Sequence, residues 1–304
     1  MLKENKHYRV VCFGEILWDI LPDAKMPGGA PMNVAYHLNQ LQTPAALISC
    51  VGVDVLSEEL LRFIESKGLC SDFIQRDAEH PTGKVLASLH GNEVNYEILQ
   101  PVAWDFIRAS QALQELVAGS EYFIFGSLAA RNQVSRETLF QLLEMASFKI
   151  FDINLREPHY KQKVLEYLLQ HADMLKLNTA ELDLLSEWFQ FRGSERERMM
   201  SLQERFQLHT VVTTRGEKGA IALNDGDFYE HHGFRVKVAD AIGAGDAFLA
   251  AFLSKFMRPL PMDEAIEYAS AMGAFVATRQ GACPSYVKEE IDQFLLAAKR
   301  SGYA

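Results

Sequence analysis

The segment Asp240-Ala241-Ile242-Gly243-Ala244-Gly245-Asp246-Ala247-Phe248 concentrates the most chemistry in the chain. It follows a strand-like run, Phe234 to Val238, and opens an apolar run of helical length, Ala247 to Phe256. Small residues at a strand-to-helix junction leave the backbone N–H groups of Gly243, Ala244 and Gly245 open to an anion, and a helix N-terminus adds about half a positive charge. Asp246 then stands in the first helical turn beside that anion hole. A carboxylate there can take the proton of an alcohol that attacks a γ-phosphoryl group. The pattern also has an ordinary use, because acidic residues favour first helical turns and Gly-x-Gly is a common tight turn. No G-x-x-x-x-G-K-[ST] loop or H-E-x-x-H helix is present, and Phe248 stands where a dinucleotide fingerprint needs glycine.

Other residue types widen the candidate site. Asp19, just after the first strand, could accept from two hydroxyls, or be an acidic loop residue. Gly29 permits close backbone approach, and Asn33, at the start of a helix, can donate, accept or cap. Arg156 is permanently charged and suits a phosphoryl or sugar oxygen, with Asn154 on the same side of an extended run; a surface ion pair with Glu157 or Asp152 is the alternative. Asn178 and Glu181, at i and i+3 around a helix start, could hold waters around a magnesium ion, or could form a capping arrangement. The nine histidines and four cysteines supply no metal constellation. His231-His232 would point to opposite faces of a strand, and His37 suits packing better than proton transfer.

The elements that must position these residues alternate. Arg9 to Gly14, Ala46 to Val51, Tyr122 to Gly126, Lys149 to Ile153, Met174 to Leu177 and His209 to Thr214 are predicted as buried strands. Helices fill the gaps, among them Asn33 to Leu41 and Glu58 to Lys67, the latter with Ser57 as cap and Gly68 as stop. The expected fold class is α/β, a three-layer, mostly parallel sheet with helices on both faces. One stretch breaks the rhythm: Lys84 to Leu89 and Val94 to Leu99 flank Gly91-Asn92 as a hairpin, read as a small β lid built from about 17–30 and 80–103. Residues 1–304 are thus expected to form a single domain with a lid, whose exposed strand edges could pair in a homodimer.

Composition excludes several classes. The 304 residues carry 30 Lys+Arg against 40 Asp+Glu, a formal charge of −10, so neither a nucleic-acid backbone nor an anionic membrane is an expected partner. No apolar stretch reaches the roughly 18 residues of a membrane span. The scattered cysteines Cys12, Cys50, Cys70 and Cys283 are expected to be free thiols, in the cytoplasm. Small molecules are the expected partners.

In sequence order these motifs resemble the ribokinase-like, or phosphofructokinase-B, sugar kinases. Asp240 to Phe248 resembles D-[TS]-x-G-A-G-D-x-F, departing at Ala241. Gly28-Gly29-Ala30-Pro31-Met32-Asn33-Val34-Ala35 is similar to G-G-A-P-x-N-V-A, and Val51-Gly52-Val53-Asp54 to V-G-x-D, with Ser57 where glycine is usual. Asn178 to Glu181 resembles N-x-x-E, Thr214 to Gly219 T-x-G-x-x-G, and Gly281-Ala282 with Ser285 completes the order. Gly14-Glu15 with Asp19, Pro81-Thr82-Gly83, Trp104-Asp105, Gly126 to Ala129 and Asp152 to Arg156 resemble the bacterial fructokinase branch, although the path from Pro22 to Gly28 is short.

The resemblance implies an ATP-dependent kinase acting on a primary hydroxyl, fructose foremost; another sugar, 2-keto-3-deoxygluconate or a nucleoside is the alternative, as is a non-catalytic sensor of the same fold. It implies that Asp246 is the base, that Gly243, Ala244, Gly245 and Arg156 stabilise the transferring group, and that Asp19, Gly29, Asn33 and Asn154 hold the sugar. Thr214, Gly216 and Gly219, with Gly243 and Gly245, would bind ATP, and Asn178 and Glu181 would hold Mg²⁺ through water. Asp240, Ile242, Val276, Arg279, Gly281 and Ser285 correspond to a monovalent-cation site, which implies K⁺.

Overall fold

The computed structural model describes residues 7–21, 24–90 and 93–300. The Gly91-Asn92 tip and Pro22-Asp23 lie outside them. The chain divides into two compact units, Met1–Ser147 and Phe148–Ala304.

The first unit contains β1 (Val10–Phe13), β2 (Leu17–Ile20), β3 (Lys25–Gly28), α1 (Ala30–Gln40), β4 (Ala45–Gly52), α2 (Val55–Ser66), β5 (Ile74–Asp77), β6 (Gly83–His90), β7 (Glu93–Ile98), α3 (Gln111–Ala118), β8 (Tyr122–Gly126) and α4 (Gln133–Leu143). Its main strands run parallel in the order β8-β1-β4-β5. Strand β1 is an uninterrupted apolar run and β4 is broken only by Ser49, because both faces are covered: all of β1 and β4 is buried, whereas the edge strand β5 is polar and partly exposed.

Two helix starts differ from the sequence expectation. Gly29, at φ 119°, is the N-cap of α1 and Pro31 lies in its first turn, so the helix begins at Ala30. Asn33 is therefore inside the first turn, donating its N–H to the Gly29 carbonyl at 3.0 Å, and is not the cap. Helix α2 is capped by Asp54, and Ser57 sits in its first turn. The Asp54 carboxylate accepts from the Ser57 N–H at 2.8 Å and the Ser57 hydroxyl accepts from the Asp54 N–H at 3.3 Å. Asp54 also accepts from the Thr82 N–H and hydroxyl, at 2.8 and 2.7 Å, joining α2 to the root of β6. Burial pushes its pKa up, but these donors outweigh it and hold the carboxyl below its usual range.

A separate small sheet has the order β3-β2-β6-β7, with β2 and β6 parallel and the outer pairs antiparallel. Beneath its root Trp104 is fully buried, and a Cβ on Gly83 would lie 2.4 Å from the Trp104 Nε1. Arg131 stacks its guanidinium 3.9 Å from the Trp104 ring centre, pairs with Asp105 through Nε at 2.7 Å and Nη2 at 2.8 Å, and donates to the Leu99 carbonyl just past β7 at 2.8 Å.

The second unit contains β9 (Phe148–Asp152), α5 (Gln162–Gln170), β10 (Met174–Asn178), α6 (Thr179–Phe189), α7 (Glu195–Phe206), β11 (Thr210–Thr214), β12 (Ala220–Asn224), β13 (Asp227–His231), α8 (Ala244–Phe256), α9 (Met262–Ala277) and α10 (Lys288–Arg300). Its strands follow the order β13-β12-β11-β10-β9, with β9, β10 and β11 parallel and the last two antiparallel. The run Phe234 to Val238 is irregular backbone without a strand partner, contrary to its strand-like alternation. Helix α8 is apolar nearly all round and stacks Phe248, Phe252 and Phe256 along one ridge, with ring centres 6.4 and 5.7 Å apart. Its first turn is thereby fixed to a rigid body. The fold class is α/β as expected: mostly parallel main strands with helices around them, plus a small sheet. No helix among the described residues is long and apolar enough to cross a membrane.

Candidate active site

The first unit carries Asp19, Gly29 and Asn33. Asp19 lies on β2 opposite Met26, and a Cβ on Gly28 would come 2.5 Å from its Oδ2, so a side chain at Gly28 would displace that carboxylate. A Cβ on Gly29 would lie 2.3 Å from the Glu15 carbonyl oxygen, so the positive φ and the close approach both require glycine. Asn33 is buried one turn along α1.

The second unit gathers the remaining candidates at the carboxyl ends of β9, β10 and β11 and at the start of α8. Gly243, at φ 77°, is the N-cap of α8, and a Cβ there would lie 2.6 Å from Ala282 Cα and Cβ. The helix begins directly after this left-handed glycine, so its first-turn amides, among them Gly245, have no intrahelical acceptors. The Ala244 N–H differs from the expectation of an open donor: it is directed at the Ala241 carbonyl at 3.3 Å. Of the three amides expected to be open, those of Gly243 and Gly245 are the ones left for an anion. Asp246 is half-buried in the same turn.

Lys176, on β10, was not singled out from the sequence. It is 7% exposed, and its ammonium donates to both carboxylate oxygens of buried Asp152, at 2.9 and 3.1 Å. A Cβ on Gly245 would lie 3.4 Å from its Nζ, which places the ammonium against the first turn of α8. Burial alone would lower the lysine pKa; the nearby Asp152 and Asp246 carboxylates outweigh it and raise it above the ordinary value. The available signal was a lone Lys inside the buried run Met174 to Leu177, since lysine is rarely buried unpaired.

Asn178 and Glu181 form a reciprocal capping box at the start of α6. Asn178 Oδ1 accepts from the Glu181 N–H at 2.9 Å, and Glu181 Oε2 from the Asn178 N–H at 2.8 Å. The other Glu181 oxygen accepts from the Leu155 N–H at 2.8 Å, fixing the loop that carries Asn154 and Arg156. Burial raises the Glu181 pKa, more than those two N–H donors and Lys176 lower it. The extended run expected through Asn154 ends at Asp152; Asn154 takes φ 37°, so alternation no longer sets Asn154 and Arg156 on one side. Arg156 is exposed, donates to the Leu155 carbonyl at 2.9 Å, and makes no ion pair among the described residues.

Thr214 pairs in register with Asn178, so both stand at the ends of neighbouring strands. Gly216 and Gly219, at φ 58° and 81°, shape the turn from β11 into β12. A Cβ on Gly219 would lie 1.9 Å from the His231 carbonyl oxygen. Asp240 accepts from Ile242 and Gly281 N–H groups, and Arg279 donates to the Ser285 carbonyl at 3.1 Å. With Val276 at the end of α9, whose carbonyl accepts from the Arg279 N–H at 2.9 Å, the expected cation-site residues fall on one connected loop system.

A left-handed glycine opening a helix whose first turn carries a carboxylate, next to parallel strand ends, is an arrangement suited to phosphoryl transfer. The chain belongs to the pfkB family of carbohydrate kinases, whose family model matches residues 21–289. It is a carbohydrate kinase. The fructokinase of Escherichia coli is 27% identical over 296 residues, covering 90% of this chain and 94% of that one. Fructokinase-2 of Solanum lycopersicum is 27% identical over 309 residues, 91% and 92% of the two chains. A fructokinase structure from Vibrio cholerae O395 in fructose, ADP and calcium ion bound form is 26% identical with a TM-score of 0.82, over 95% of this chain and 99% of that one. The structure of fructokinase with bound ATP from Xylella fastidiosa shares the fold, with a TM-score of 0.85 over 95% and 98% at 23% identity.

Proposed function

We propose that the chain is an ATP-dependent fructokinase, transferring the γ-phosphoryl group of ATP to the primary 6-hydroxyl of fructose, in the cytoplasm. The observation that carries the reading is the left-handed Gly243 opening α8 with Asp246 in its first turn. The relatives named fructokinase support the acceptor.

In this mechanism Asp19, the Gly29 backbone, Asn33 and Asn154 bind the sugar. Asp246 accepts the proton of the attacking hydroxyl, and the amides at Gly243 and Gly245, with Ala244 between them, take up charge that develops on the transferring group. Arg156, exposed and without an ion pair among the described residues, adds a positive charge. Thr214, Gly216 and Gly219 line the nucleotide side. ATP supplies the phosphoryl group, and Mg²⁺ bound with it supplies charge screening. The Glu181 oxygens each already accept one N–H, a donor set that suits holding water toward Mg²⁺ better than direct ligation.

Asp240, Ser285 and the carbonyls of Ile242, Val276, Arg279 and Gly281 would hold K⁺. All are oxygen donors, which fit a hard monovalent ion. The outer strands of the small sheet, β3 and β7, offer edges through which two lids could pair as a homodimer, to be read by sedimentation.

The test is ADP release with fructose set beside glucose, ribose, 2-keto-3-deoxygluconate and adenosine under one ATP-consumption assay. Fructose should give the highest kcat/KM. A higher value with another acceptor would overturn the substrate, and no acceptor-dependent ADP release at all would favour a sensing protein of the same fold.

A further inference from the structure

The Lys176–Asp152 pair is a buried ion pair at the candidate site that the proposed mechanism leaves unused. Asp152 on β9 is hydrogen-bonded to the ammonium, and the charges of Asp246 on α8 and Glu181 on α6 also attract it. Asp152 takes two hydrogen bonds from Lys176 and is itself 4% exposed, so its charge has no water to turn to. The Glu181 oxygens are already engaged by the Asn178 and Leu155 amides. That leaves the side of the ammonium facing Gly245, where even a methyl group would be only 3.4 Å away. A residue with this burial is a costly way to stabilise a fold, because replacing a buried pair by apolar side chains is often neutral or stabilising. Its position is better explained by what lies beyond Gly245.

We propose that Lys176 is a positioning residue for Asp246: held from behind by Asp152, its fixed positive charge orients the Asp246 carboxylate in the first turn of α8 and keeps it ionised and ready for the acceptor hydroxyl. The lysine sits on a central parallel strand whose neighbours β9 and β11 fix its backbone, so the orientation is preorganised. Asp152 acts one step further back, fixing the ammonium. This rests on the kinase reading for its consequence in turnover, but the placement itself can be read without turnover.

The experiment compares the parent protein with Asp152→Asn, Lys176→Arg and the double variant Lys176→Met/Asp152→Asn, the last removing both charges so that neither is left buried alone. With ATP, Mg²⁺ and fructose, or the best acceptor of the panel, the double variant should retain its melting temperature and its KM for both substrates within about threefold, yet lose about a hundredfold in kcat. Lys176→Arg should recover part of that loss. A kcat within about threefold of the parent in a folded double variant overturns the proposal.

The second readout is the carboxyl carbon resonance of Asp246, assigned by its disappearance in Asp246→Asn. It should titrate about one pH unit higher in the double variant than in Asp152→Asn, because only the lysine differs between them. Equal titration overturns the placement. Absence of turnover in the parent with every acceptor, alongside a shifted Asp246 resonance, would instead overturn the kinase reading and support the placement.

Discussion

Asp240 accepts a hydrogen bond from the backbone N–H of Gly281 at 3.0 Å, tying the segment that leads into α8 to the loop that follows α9. Its other carboxylate oxygen accepts from the Ile242 N–H at 3.0 Å, one residue before the left-handed Gly243. Replacing Asp240 by Ala would leave two amides without their acceptor and slacken the turn that leads into Gly243. We expect a loss of about 1–3 kcal/mol in stability, measured by denaturant unfolding. We also expect activity that no longer responds when K⁺ replaces a large organic cation, whereas the parent is activated. A parent equally active in both salts would remove K⁺ from the reading.

Asp246→Asn keeps the shape of the side chain but removes the proton acceptor. The expected outcome is a fall in kcat of about 10²–10⁴ with ADP affinity, measured by calorimetry, nearly unchanged. Near-normal turnover would eliminate Asp246 as the base.

Gly243→Ala should be disabling in spite of its small size. The new methyl would meet Ala282 at 2.6 Å in a left-handed conformation that costs an L-residue about 1–2 kcal/mol. Nucleotide affinity should fall at least about tenfold, as the amides rotate away from the phosphate. Unchanged affinity would show that the first turn is not the nucleotide's anion site.

Glu181→Ala removes the acceptor of both the Asn178 and Leu155 N–H groups. Each amide left without its acceptor costs about 1–3 kcal/mol. The loop bearing Asn154 and Arg156 should then become accessible to amide hydrogen exchange, and kcat should drop with it. Exchange at Leu155 as slow as in the parent would contradict the anchoring role.

His231 supplies a pH dependence. Burial chiefly lowers its pKa below the usual histidine value, and its Nδ1 accepts from the Gly233 N–H at 3.0 Å, a bond that a protonated ring cannot accept. An unfolded histidine titrates near 6.5, so the unfolded chain binds this proton at higher pH than the folded one. The stability contribution is present above about pH 6.5 and is lost as pH falls through the depressed folded value. In His231→Phe, which keeps a ring against Phe234, the melting temperature should lose this acid-side slope. A slope identical to the parent's would exclude His231 as its source.

Much of this architecture could be read along the chain because burial on both faces leaves a plain mark: the runs at Val10, Ala45, Tyr122 and Met174 are mostly apolar, broken by Ser49 in the second and Lys176 in the last, and their boundaries fall within a residue or two. Helix starts were less legible where two capping types stand close together. Asp54 and Ser57 both suit a cap, and only the hydrogen bonds decide which of them holds the outer position. Phe234 to Val238 alternates like a strand but finds no neighbour to pair with, a fact of tertiary placement that alternation does not encode. Within the candidate site, the glycines and Asp246 announced themselves by spacing. Lys176 did not, because its partners lie on other elements and proximity to Gly245 exists only once β10 and α8 are packed.

The guanidinium of Arg131 grips the chain just beyond β7, while its other contacts are sunk in Trp104 and Asp105. One side chain thus ties the returning strand to the same tryptophan that Gly83 abuts at the start of the outgoing one, so both legs of the hairpin share a single anchor. Loss of the Arg131 side chain should therefore loosen both legs together rather than the returning strand alone.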